Sequence, residues 1–173
     1  MNDKGVKTCV AGFPRIGERR ELKKALELHW EGKADYGEVM STARILKERH
    51  WKYQKDAGID FISCNDFSLY DIMLDTAVMF NAIPQRFQGI ADPAERYFAM
   101  ARGTESSVAM EMTKWLNTNY HYIVPELSEK TEFSLNPEKP VTEYREAAGC
   151  GIRPKVNIVG PLTFLSLSRM TGC

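Results

Sequence analysis

The sequence predicts an α/β fold with parallel strands, either a doubly wound sheet or part of a (β/α)8 barrel. Three observations predict it. Short apolar, β-compatible runs fall near residues 7–12, 59–63, 120–124 and 155–159. Stretches with helical spacing separate them, and that alternation argues for parallel strands joined by helical crossovers. A whole barrel needs roughly 250 residues, so four strands in a chain of 173 amount to about half of one. An open half barrel would leave two strand edges and an apolar lumen uncovered. The stop after the fourth unit is therefore expected to be a truncation.

The first strand, Lys7 to Gly12, runs into Phe13-Pro14-Arg15-Ile16-Gly17, where proline and glycine punctuate a turn. A helix over Glu18 to Glu31 follows, with Leu22, Ala25, Leu26 and Trp30 at helical spacing. Its charge is inverted. Arg19, Arg20, Lys23 and Lys24 crowd a terminus whose dipole disfavours cations by about 0.3–1 kcal/mol each. Arg20 also shares a face with Lys23 and Lys24, which adds like-charge repulsion. Free N–H groups, the dipole and a cationic face together make a site for phosphates or carboxylates. The competing reading is a solvated helix neutralised by Glu18, Glu21 and Glu27.

Asp35 is the expected N-cap of a long amphipathic helix whose stripe is Tyr36, Val39, Met40, Ala43, Leu46, His50 and Tyr53, ending at Gly58. On that stripe His50 is expected to be a satisfied core residue and not a ligand. Ile59 to Ser63 has the character of a buried parallel strand. The cluster Asn65-Asp66-Phe67-Ser68 is expected to cap a helix over Leu69 to Ala82, facing inward through Ile72, Thr76, Met79 and Phe80, although its oxygens equally suit a ligand. Asp92-Pro93-Ala94-Glu95 opens a helix that stops at Gly103, and Gly103 to Ser107 is a loop.

The stretch from Asn117 to Glu126 is β-prone and dense in hydrogen-bonding side chains. It lines a polar cleft, forms a satisfied network or lies exposed. Phe133 to Lys139 is a loop or edge strand, Val141 to Ala148 a short helix, Lys155 to Val159 the fourth strand, and Leu162 to Arg169 a last helix.

Composition narrows the function. Lysine plus arginine equals aspartate plus glutamate at 23 each, so the charge is local and gives no general case for nucleic acid or anionic membranes. No apolar run approaches the ~20 residues of a membrane span. Cys9, Cys64, Cys150 and Cys173 are scattered with no zinc spacing to His29, His50 or His121. A reduced, cytoplasmic protein is the expectation.

Four blocks of residues carry a resemblance. They are Gly12 to Gly17 with Arg20 to Lys24; Asp66 to Asp71; Glu111 to Trp115 with Asn117 to Glu126; and Val159 to Phe164. In that order they closely resemble cobalamin-independent methionine synthase, over Ala11 to about Arg169. The resemblance implies a partial (β/α)8 TIM-like barrel of about the first four βα units, with residues 1–173 forming the first part of that family's N-terminal barrel. It implies methyl transfer from 5-methyltetrahydropteroyl-polyglutamate to homocysteine, giving methionine. The family binds the folate's polyglutamate tail through positions that match Arg20, Glu21, Leu22, Lys23 and Lys114. Its zinc ligands and acid/base histidine belong to a C-terminal half outside this sequence, so this polypeptide alone is expected to be inactive. The alternatives are a stand-alone anion-binding or interaction module, and a related barrel methyltransferase or decarboxylase with another substrate.

Overall fold

The computed structural model describes residues 5–172. The expectation on Cys173 lies outside them. The fold is mixed α/β, in two compact units: Met1–Leu69 with Lys139–Asn157, and Tyr70–Glu138 with Ile158–Cys173.

In the first unit, α1 (Glu21–Trp30) packs against α2 (Tyr36–Asp56). Leu22 and Leu26 on α1, and Val39, Ala43 and Leu46 on α2, are the buried positions of the two helical stripes. Asp35 starts α2 with a complete capping box: its carboxylate accepts the Glu38 N–H at 2.8 Å, and Glu38 accepts the Asp35 N–H at 2.9 Å. β1 (Ile62–Cys64) pairs in parallel with β5 (Pro154–Val156), and α5 (Glu138–Gly149) leads into β5. Trp51, Ile62, Cys64 and Ala147 form the core between them, with Ile59, Ile152 and Val156 packed around it.

The expected first strand over 7–12 is reduced to one parallel bridge, Cys9 with Phe61. The reason lies in α2. Gln54 Oε1 accepts the N–H of Ser63 at 3.1 Å and Trp51 Nε1 donates to its carbonyl at 3.1 Å. The edge groups that a longer first strand would need are already satisfied. Side chains from β5 and the residue after it hold the first run instead: Lys155 Nζ donates to the Val10 carbonyl and Asn157 Nδ2 to that of Ala11, at 2.9 and 2.8 Å.

In the second unit, α3 (Ile72–Met79) is buried through Met73, Leu74, Thr76 and Ala77, not through the expected Ile72, Met79 and Phe80 face. It lies between two apolar clusters. Met73 and Ala77 join Tyr122, Val124, Leu127 and Phe164, while Leu74 joins Phe87, Met100, Met110 and Ile123. A helix covered on both flanks needs no polar face, so periodicity misleads there. Its N-cap is Asp71, not Asp66 or Ser68. A short 3-10 turn (Gln85–Phe87) precedes α4 (Pro93–Arg102), which has the expected Asp92 cap, first-turn proline and Gly103 stop.

β2 (Met112–Lys114) and β3 (His121–Ile123) form an antiparallel hairpin, so the third expected strand pairs differently from the parallel scheme. β4 (Glu126–Leu127) pairs in parallel with β6 (Arg169–Met170), which follows α6 (Pro161–Ser166). Among the described residues the three sheets are two-stranded and none closes.

Candidate anion-binding site

The parallel pairing of the first unit places the segments after Cys9, β1 and β5 at one end, the carboxyl ends of its strands. Ligands in α/β folds gather at that end. The segment after Cys9 is held there by Asp66, whose Oδ2 accepts the Phe13 N–H at 2.6 Å. Arg15 donates to the Leu69 carbonyl at 3.3 Å. The Phe13 ring stacks on His50 with centroids 4.6 Å apart. His50 is thus the packed core residue expected, and burial pushes its pKa below the usual imidazole value.

From Phe13 the chain turns sharply into α1. Gly17 has φ +84° and Arg20, the N-cap, has φ +59°. The glycine is required by its conformation, and an added Cβ would also displace the ends of the Glu21 and Leu46 side chains. For arginine the left-handed region costs about 1–2 kcal/mol. Backbone bonds close the turn, with Arg20 N–H donating to Gly17 and Leu22 N–H to Ile16, each at 3.1 Å. Strain maintained in this way marks functional segments more often than idle ones.

Here the structure gathers Arg20, Glu21, Leu22 and Lys23 in the first turn of α1. Their side chains divide by task. Leu22 is wholly buried and anchors the helix. Glu21 accepts from Arg49 Nη2 at 2.8 Å and, through its other oxygen, from the Arg19 N–H at 2.9 Å. The Arg49 bond is the main reason its carboxyl falls to about 2. Lys23 meets Glu27 at 3.4 Å in an exposed pair worth about 0.3–0.5 kcal/mol. Arg20 and Lys24 are exposed, and no carboxylate among the described residues pairs with either.

Lys114 belongs to the second unit, exposed at the end of β2 and paired in register with His121. The residues from Asn117 to His121 lie exposed around the hairpin turn, where Thr118 Oγ1 donates to the Trp115 carbonyl at 2.6 Å. Of the outcomes open for this polar stretch, exposure holds for Asn117 to His121, whereas Tyr122 is buried with its hydroxyl donating to the Leu167 carbonyl at 3.2 Å. Arg49, Asp66 and Asp71 carried no local signal of their roles; their partners lie 28, 53 and 52 residues away.

The arrangement can bind but offers little chemistry. Among the described residues no three His, Cys, Asp or Glu side chains form a group able to hold a metal ion. These residues therefore do not fit zinc. Burial pushes the Cys64 thiol up to about 12, which leaves it protonated and unreactive. No helix among the described residues is long and apolar enough to cross a membrane.

Comparison with known proteins adds the family. Residues 7–172 match the model described as "Cobalamin-independent synthase, N-terminal domain". A protein of Desulforamulus reducens named 5-methyltetrahydropteroyltriglutamate-homocysteine methyltransferase is 63% identical over 165 residues, covering 95% of this chain and 22% of that protein. Proteins of the same name from Xylella fastidiosa and Bifidobacterium animalis subsp. lactis are 54% and 53% identical, covering 91% and 95% of this chain and 22% of each relative. The chain thus spans about a fifth of the length of these curated relatives.

Proposed function

This chain belongs to the cobalamin-independent synthase family, and from that premise we propose that it is the folate-tail-binding part of a homocysteine methyltransferase. The whole enzyme moves the methyl group of 5-methyltetrahydropteroyl-polyglutamate to homocysteine, forming methionine in the cytoplasm. In this reading residues 1–173 are the first part of an N-terminal (β/α)8 barrel. The parallel β1–β5 pair and the Cys9 bridge support that architecture. The polyglutamate tail, a multiply charged anion, is taken in the first unit by Arg20 and Lys23, with Glu21 and Leu22 fixing the turn that presents them; Lys114 of the second unit matches the family's remaining tail position.

The observation that carries this reading is Arg20, strained at the helix start, exposed and without a carboxylate partner among the described residues. An arginine can receive a carboxylate bidentately while lysines act as point charges. In this reading the chemistry belongs to the rest of the enzyme, and this chain supplies the binding of the tail.

The test is tail-length dependence in the intact enzyme. A polyglutamylated folate binds more tightly than the monoglutamate, and the difference shrinks in salt and in an Arg20→Ala/Lys23→Ala double variant. Equal affinity for both folates refutes the reading.

A further inference from the structure

Both acidic side chains that flank Arg20, Glu18 and Glu21, are already engaged, and by the same helix. Arg49 Nη2 donates to Glu21 at 2.8 Å, and the Tyr53 hydroxyl donates to Glu18 at 2.9 Å. Residues 49 and 53 lie one helical turn apart, on one face of α2. Phe13, stacked on His50 of the next position, fixes the turn against that face. The consequence is electrostatic. Glu21 adjoins Arg20 in sequence and stands three residues before Lys24, so an unrestrained Glu21 carboxylate would be a tethered rival for any incoming anion, present at millimolar effective concentration. Glu18 is placed to do the same.

We propose that Arg49, with Tyr53, is a positioning residue of the tail-binding site: it ties down Glu18 and Glu21, so that Arg20 and Lys24 meet the ligand uncompensated. This rests on the tail-binding reading above. In this role Arg49 acts through Glu21.

The experiment is calorimetric titration of the intact enzyme with tri-γ-glutamate at low ionic strength. Arg49→Gln weakens binding by about fivefold, the scale of one surface charge pair. Adding Glu21→Gln to that variant restores affinity to within about twofold of the unaltered protein, because the amide oxygen still accepts the Arg19 N–H that fixes the turn while the rival charge is gone. A role in folding alone would not be rescued, and a role through the arginine's own charge would make Glu21→Gln tighten binding equally with and without Arg49; that additivity, or a double variant as weak as the single one, overturns the proposal. If Arg49→Gln does not fold, the milder cycle decides: Tyr53→Phe weakens binding and Glu18→Gln reverses the loss, whereas no loss, or loss without reversal, overturns it. Should the unaltered enzyme show no affinity for tri-γ-glutamate, the tail-binding reading itself fails, and the proposal with it.

Discussion

Asp71 and Ile123 are joined by a buried hydrogen bond: the backbone N–H of Ile123 donates to Asp71 Oδ2 at 3.0 Å. The other oxygen accepts from Met73 and Leu74 at 2.7 and 3.4 Å. One carboxylate therefore caps α3 and pins β3 to it. Ile123 pairs with Met112, and Lys114 with His121 two residues along the same hairpin, so Asp71 also anchors the strand pair that carries Lys114.

Asp71→Ala is expected to destabilise the protein by about 2–4 kcal/mol, the sum of a lost N-cap and a buried N–H left unpaired. Urea denaturation measures it.

Burial raises the Asp71 pKa from 3.8 to about 7. The folded state holds this proton more tightly than the unfolded one. The contribution to stability is full below 3.8 and is lost as pH rises through about 7. Asp71→Asn cannot titrate. The gap in urea midpoint between the protein and this variant should therefore shift against the protein between pH 5 and pH 8; an unchanged gap would show an ordinary carboxylate.

Glu21 has the opposite sign. Its pKa falls from 4.5 to about 2, chiefly through Arg49, so its contribution is present above 4.5 and is lost as pH falls through 2. NMR titration should find the Glu21 carboxyl near 2 in the protein and closer to 4.5 in Arg49→Gln.

Gly17→Ala places a Cβ at a φ of +84°, against the Glu21 carboxylate and the Leu46 side chain. A loss of about 1–2 kcal/mol is expected from the backbone alone, together with weaker polyglutamate binding. Thermal unfolding and the tail-length assay report the two effects separately.

Asp35→Ala removes one half of the α2 capping box and should cost about 1 kcal/mol in urea denaturation.

What was legible in the sequence was local. Asp35 with Glu38, and Asp92 with Pro93 and Gly103, state their helix boundaries within a few residues, and α2 and α4 begin and end accordingly. The cationic excess at Arg20 was equally visible, because helix polarity and charge are both local. What failed depended on distant partners. The shortened first strand follows from Trp51 and Gln54 occupying Ser63, and neither residue differs in type from any other helical position. The cap moved from Asp66 to Asp71 because Asp66 is committed to Phe13, 53 residues earlier. Two-residue strands such as β4 and β6 leave no periodicity to read.

The neighbouring strands β1 and β5 end and begin 90 residues apart, with nearly all of the second unit encoded between them. A ribosome therefore releases Trp51, Ile62 and Cys64 long before Ala147 and Val156 exist to cover them. Closing so long a loop is slow and entropically costly. During synthesis the first unit waits for its last strand while the second has most of its sequence in hand, and nascent chains halted before Lys139 should be the ones that chaperones and proteases find.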